Sequence, residues 1–123
     1  MNEVKSLPRS ELEIIKAMWS LNEPVSAAQL NNHIQKGWRV QTLITHLARM
    51  VAKQVVTVEH RPATHGARYF YSPCIDKTEY INQETSLFIE RLHDDNIKSV
   101  MDSMFSSGKI KKEDAQYLLS LFK

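Results

Sequence analysis

Apolar side chains recur every three or four residues along much of the chain, and this period predicts α-helices. Residues 8–21 predict a first helix, with Ser10 as its N-cap and Glu13 completing a capping box. Residues 25–35 predict a shorter second helix, and Ser26 is the residue expected to cap it. The first helix is expected to serve packing alone.

The segment 38–53 shows the clearest division between an apolar and a polar helical face. Its apolar stripe consists of Val40, Leu43, Ile44, Leu47, Met50 and Val51. The opposite side consists of Arg39, Gln41, Thr42, Thr45, His46 and Arg49. No Asp or Glu occurs between Glu23 and Glu59, although an exposed face ordinarily mixes Lys with Glu. Such a face suits a polyanion such as duplex DNA; a partly buried helix that lacks acids by chance is the alternative.

The apolar period falls to two after this third helix, which predicts β-structure. Residues 55–60 and 68–72 predict two strands joined by a turn-prone loop. A short helix, a connection with Gly37 and a third helix follow the order of a helix-turn-helix, and the hairpin makes it a winged helix. In that arrangement the third helix lies in the major groove. The loop places three basic or titratable side chains in reach of phosphates: Arg61, His65 and Arg68.

Residues 77–123 predict three further amphipathic helices, with interruptions at 94–96 and 106–108. Because such short helices are marginal alone, they either fold back on the winged helix or pair with a second copy. Pairing is favoured, since a single winged helix reads few base pairs. We expect a mainly α fold with a small β-hairpin, in which residues 1–75 bind DNA and residues 76–123 dimerise. The side chains expected at the dimer interface are Tyr80, Leu87, Phe88, Ile97, Val100, Met101, Met104, Phe105, Leu118, Leu119 and Phe122.

The composition is that of an ordinary soluble globular protein, with 42% apolar and 24% charged residues. Cys74 is the single cysteine, which excludes an internal disulfide and fits a reducing compartment. No apolar run approaches a membrane span, and the N-terminus lacks the apolar core of a signal peptide. These features predict a cytoplasmic protein.

Charge is distributed unevenly between the two predicted domains. Residues 1–75 contain nine Lys or Arg and five Asp or Glu, a net charge of +4. Residues 76–123 contain seven and nine, a net charge of −2. Contacts with phosphates are therefore expected in the first domain.

The sequence contains no motif for catalysis or metal binding. Its five histidines are scattered, without an HExxH motif or a partner pair of cysteines. A Gly-rich phosphate loop and a Gly-x-Ser-x-Gly elbow are also missing. Cys74 is expected to be an inert small hydrophobe at a strand end. We predict that the chain is no enzyme and needs no cofactor or metal.

Four motifs together resemble the penicillinase and methicillin-resistance repressors of the BlaI/MecI type, over nearly the whole chain. They are Leu12-Glu13 with Met18-Trp19, Trp38-x3-Thr42-Leu43-x-Thr45-x-Leu47-x-Arg49-Met50, Gly66-Ala67-Arg68-Tyr69-Phe70-Tyr71-Ser72-Pro73 and Gly108-Lys109-Ile110-x-x-Glu113-Asp114. The resemblance implies a dimeric bacterial repressor that binds a palindromic operator. Its target genes would be antibiotic-resistance genes of the β-lactamase type, or metal or stress genes.

The expected DNA contacts lie on the 38–53 helix and the 61–68 wing, by this resemblance and by the charge pattern. They are Trp38, Arg39, Gln41, Thr42, Thr45, His46, Arg49, Lys53, Arg61, His65 and Arg68. For Trp38, packing is favoured over a phosphate contact. The alternative function is a protein- or RNA-docking module that uses the same basic face.

Four departures from the family patterns concern helix ends and regulation. Arg39 and Val40 replace the usual capping Ser and its neighbour. Gln54 replaces a usual Gly at a place where a left-handed backbone is expected and is easier for Gly. The resemblance implies a membrane sensor and protease as partners of members that respond to β-lactams, with cleavage at an Asn–Phe bond. The aligned pair here is Ser103-Met104, which does not match. Copper-responsive relatives carry four C-terminal cysteines, which this chain lacks.

Overall fold

The computed structural model of the protein describes residues 5–62 and 68–122. Its elements are α1 (Arg9–Leu21), α2 (Ala27–Ile34), α3 (Val40–Ala52), β1 (Val56–His60), β2 (Tyr69–Pro73), α4 (Lys77–His93), α5 (Ile97–Ser106) and α6 (Lys112–Ser120). Helices with one two-stranded sheet in these ranges confirm the predicted fold class. None of the described helices is long and apolar enough to cross a membrane.

The chain divides into two compact units, Met1–Ile81 and Asn82–Lys123. The predicted domains, 1–75 and 76–123, stay a prediction. In the first unit, α1, α2, α3 and the start of β1 enclose one apolar core. Its fully buried side chains are Ile14, Ile15, Met18, Val25, Leu30, Leu43, Leu47, Met50, Val55 and Val56.

Helix α1 begins one residue earlier than its expected cap. Pro8 is the N-cap and supplies no side-chain cap. Proline is tolerated at this place because the helix begins after it and needs no N–H from it. Ser10 therefore lies inside the helix, and the predicted capping box of Ser10 with Glu13 is wrong.

Helix α2 has the predicted cap but a later start. The Ser26 hydroxyl accepts a bond from the Gln29 N–H at 3.2 Å, and the Gln29 side chain accepts one from the Ser26 N–H at 2.8 Å. Val25 stays outside the helix because its backbone bonds to Tyr71 in both directions, at 3.0 and 2.7 Å. The connection between α1 and α2 is thereby tied to strand β2.

The two strands pair antiparallel, from Val56 opposite Pro73 to His60 opposite Tyr69. The Arg61 N–H donates to the Arg68 carbonyl at 2.7 Å, just beyond the last pair. Each strand begins one residue later than predicted.

The second unit contains the end of α4 with α5 and α6. Asp94 and Asp95 have left-handed φ values of 52° and 60°, which ends α4 at the predicted break. The Asn96 side chain then caps α5 by accepting from the Ser99 N–H at 3.0 Å.

Candidate nucleic-acid interface

Three apolar side chains fix the rotation of α3 about its axis. Leu43, Leu47 and Met50 are fully buried, at 0% exposure each. They are spaced by four and three residues, so they lie on one face of the helix. The opposite face is consequently directed away from the core.

Most of the DNA-contacting residues predicted for this helix lie on that opposite face. Gln41, Thr42, Thr45 and Arg49 are exposed along α3, and Arg39, also exposed, precedes the helix as its N-cap. Two small residues that the sequence reasoning did not select, Ala48 and Ala52, are exposed beside them. Helical spacing from Gln41 could have found both, because positions 41, 45, 48 and 52 share a face.

The two departures from the family pattern at Arg39 and Gln54 lie at the two ends of α3. Arg39 is the N-cap and makes no side-chain bond to the first turn, so the leading N–H groups lack a side-chain cap. Gln54, which follows the helix, has a left-handed φ of 65°. This confirms the expectation that its backbone suits glycine.

Trp38 and His46 contact each other at the start of α3. Their rings are 5.5 Å apart, and Trp38 packs against the core of the first unit. The Trp38 carbonyl also accepts a bond from the Asn31 side chain at 3.0 Å. Packing is therefore an observed role of Trp38. His46 is half-buried, and its Nδ1 has no hydrogen-bond partner among the described residues.

Lys53 forms an ion pair with an acidic residue that was not predicted from the sequence. Its Nζ lies 2.7 Å from Oε1 of Glu11, a side chain of α1 that is only 3% exposed. Much of the Lys53 charge therefore compensates a buried carboxylate, and its predicted contact with DNA stays a prediction. No local pattern indicates the pair, because the partners are 42 residues apart in sequence.

The hairpin holds Arg61 in a local network. Its guanidinium donates to both Glu59 carboxylate oxygens, at 3.1 and 3.3 Å, and lies 4.6 Å from the centre of the Phe70 ring. The hydrogen bond from Arg61, reinforced by its charge, lowers the pKa of Glu59. Arg68 is exposed. The predicted His65 lies outside the described residues.

Of the residues expected at the dimer interface, Tyr80 is placed elsewhere. It is 5% exposed, its ring lies 6.0 Å from that of Trp19, and its hydroxyl accepts from the Leu7 N–H at 2.9 Å. Tyr80 therefore belongs to the packing of the first unit. The apolar period alone does not indicate which surface such a residue meets.

The other expected interface residues remain accessible in the second unit. Phe88, Ile97, Met101, Phe105, Leu119 and Phe122 are exposed, and Leu87, Val100, Met104 and Leu118 are half-buried. Three exposed apolar side chains were not in the predicted set: Leu92, Tyr117 and Leu121. Within residues 82–122 no apolar side chain is buried.

Cys74 differs from its expected environment. It is exposed, whereas an apolar group is expected to be covered. It borders an open groove of about 540 Å³ that also includes Trp19, Pro24 and Ile75. In the parts of the chain that the structure describes, no three His, Cys, Asp or Glu side chains are grouped for a metal ion.

Comparison with known proteins identifies the family. The penicillinase repressor of Bacillus licheniformis is 21% identical over 123 residues, which cover 98% of this chain and 92% of that protein. The solution structure of the Bacillus licheniformis BlaI monomeric form, in complex with the blaP half-operator, is 23% identical with a TM-score of 0.50. That likeness covers 65% of this chain and 94% of the other, and it supports the winged-helix fold. The profile of the penicillinase repressor family matches residues 7–123. The chain therefore belongs to this family of DNA-binding transcriptional repressors, which are not enzymes.

Proposed function

We propose that the protein is a homodimeric repressor that binds a palindromic operator in the bacterial cytoplasm. Each copy inserts α3 into the major groove of one half-site and places the 61–68 wing against the adjacent backbone. The observation that carries this proposal is the exposed, acid-free face of α3, which buried Leu43, Leu47 and Met50 hold outward.

The side chains on this face match the chemistry of base edges. Arg49 can pair with both major-groove acceptors of guanine, and Gln41 can pair with adenine as both donor and acceptor. Arg39 stands at the uncapped start of α3, where its charge and the free N–H groups both favour a phosphate. The N-terminal residues of a recognition helix contact the bases in a helix-turn-helix, which favours Gln41 in the first turn of α3, and Arg49 in its last turn would extend the contact along the groove.

The wing contributes charge to the same interface. Arg68 is exposed, and Arg61 is pre-ordered by Glu59 and Phe70. An arginine held in this way loses little rotamer freedom when it binds, although Glu59 competes with a phosphate for its guanidinium. Arg68 is therefore expected to contribute more to phosphate binding than Arg61.

Dimerisation is proposed from the surface of the second unit. Its helices bury no apolar side chain within 82–122, while Phe105 is 54% and Phe122 is 85% exposed. Exposed apolar side chains in this number favour association, and a second copy would double the number of bases contacted. A similar solved structure is of a monomeric form bound to a half-operator, which supports one copy for each half-site.

The target genes are proposed from the family alone. The name of the family and of the curated relative supports antibiotic-resistance genes of the β-lactamase type, with metal or stress genes as the other class. A membrane sensor with a protease remains a proposed partner. The aligned Ser103-Met104 pair lies within α5, so cleavage there would require local unfolding of that helix.

Selection of duplexes from a randomised library, followed by titration at fixed salt, tests the proposal. We expect Arg49→Ala to lower discrimination between the selected and a random duplex by about 1–3 kcal/mol, because one base contact is lost. Arg91→Ala removes an exposed guanidinium in the second unit and is the matched control.

If Arg49→Ala and Gln41→Ala both keep full discrimination, α3 does not read the sequence. If the wild-type protein shows no salt-dependent affinity for DNA, the protein- or RNA-docking alternative replaces the proposal.

A further inference from the structure

Thr45 occupies the middle of the exposed face of α3, one turn after Gln41 and one turn before Arg49. Its Oγ1 donates to the Gln41 carbonyl at 3.0 Å. A threonine hydroxyl has a single proton, so its only donor is used within the helix. The γ-methyl and the oxygen lone pairs are left to meet a ligand.

The next exposed residue on this face after Thr45 also presents a methyl group. Ala48 lies three residues on, on the same face, and is exposed. Thr45 and Ala48 thus interrupt a row of hydrogen-bonding side chains with two adjacent methyl groups. Polar base edges gain nothing from methyl groups, whereas an apolar base substituent does.

We propose that Thr45 reads the C5-methyl group of a thymine, through its own γ-methyl and with Ala48 alongside. This inference rests on the proposed binding of DNA through α3. In the major groove thymine is distinguished from cytosine and the purines by this methyl group, and the methyl groups of Thr and Ala are suitable contacts for it. The Thr45 hydroxyl positions the side chain and donates no hydrogen bond to DNA.

Two substitutions at position 45 separate the methyl from the hydroxyl. Thr45→Val keeps a γ-methyl in the same place and removes the hydroxyl, whereas Thr45→Ser keeps the hydroxyl and removes the methyl. The probe is the duplex that wild-type protein selects from a randomised library. Each thymine in it is replaced in turn by deoxyuridine, which removes only the C5-methyl group.

For wild type, deoxyuridine at one thymine of each half-site is expected to raise Kd about fourfold, the effect of one buried methyl group. Thr45→Val is expected to show the same ratio of Kd values at that position. Thr45→Ser is expected to bring the ratio close to one. The ratio is taken within each variant, so a loss of folded protein affects both duplexes alike.

Thr85→Ser makes the same chemical change on an exposed position of α4 and should keep the fourfold ratio. The inference is overturned if no thymine shows the effect, if Thr45→Ser retains it, or if Thr45→Val loses it. The last result would assign the recognition to the hydroxyl. In each of these cases the selected duplex is still bound specifically and the proposed function stands. Failure to select any duplex would overturn both.

Discussion

Lys53 and Glu11 connect the end of α3 to the first turn of α1, with Nζ and Oε1 2.7 Å apart. Glu11 is buried and Lys53 is half exposed, so removal of the cation leaves a core carboxylate without its partner. We expect Lys53→Met to lower the free energy of unfolding by about 2 kcal/mol, less than for a wholly buried pair because Lys53 reaches solvent. Urea unfolding followed by Trp19 and Trp38 fluorescence measures this loss.

The exposed ion pair of Glu59 with Arg61 provides the control for the loss of stability in Lys53→Met. Both side chains reach solvent, so Glu59→Gln is expected to leave the urea midpoint unchanged. The double variant Glu11→Gln/Lys53→Met should recover part of the lost stability, because no buried charge remains. If Lys53→Met and Glu59→Gln lowered the free energy of unfolding equally, the role assigned to the buried Glu11 would be contradicted.

Among the secondary-structure elements, α3 is followed by a residue with a strained backbone, Gln54. Its φ of 65° lies in the left-handed region, which costs a side chain with a Cβ roughly 1–2 kcal/mol. Glycine avoids this cost but loses more chain entropy on folding. We therefore expect Gln54→Gly to stabilise the protein by about 0.5–1 kcal/mol, measured by thermal unfolding in circular dichroism.

A Gln→Gly substitution inside α3 should change the stability in the opposite direction. Gln41 belongs to the first turn of α3 and has a helical backbone. Gln41→Gly is expected to destabilise the protein by up to about 1 kcal/mol, since glycine is a poor helix former. Two changes of the same sign would refute the assignment of strain to position 54.

Local patterns were sufficient for the elements whose determinants lie close together in sequence. The cap of α2 at Ser26 and the left-handed backbone at Gln54 both depend on nearby residues, and both were expected. Val25 was assigned to a helix because its bonds to Tyr71 come from a distant strand. The start of α1 was misplaced because a serine was preferred to Pro8 as the cap.

The candidate interface shows the same division between local and distant causes. The exposed face of α3 follows from helical periodicity, so its polar residues were predicted from the sequence. The ion pair of Glu11 with Lys53 was not, because burial of an acid depends on the assembled core. Tyr80 was assigned to a dimer interface, whereas the structure buries it against Trp19 in the first unit.

For the whole molecule, charge and apolar surface are concentrated in different parts of the chain. Residues 1–75 have a net charge of +4 and residues 76–123 one of −2. Within 82–122 the apolar side chains are exposed or half-buried. Association of two copies through this region would cover its apolar surface and leave both basic reading helices available for DNA.

Sedimentation equilibrium of the full chain tests this arrangement, and a dimer is expected for wild type. Phe105→Asp introduces a charge on the apolar surface of α5 and is expected to weaken pairing by at least roughly 2 kcal/mol, since both copies carry the charge. Val58→Asp is the matched control, because Val58 is an apolar residue of the hairpin with a similar exposure of 43%. Dissociation by Val58→Asp but not by Phe105→Asp would locate the contact in the winged helix and refute pairing through the second unit.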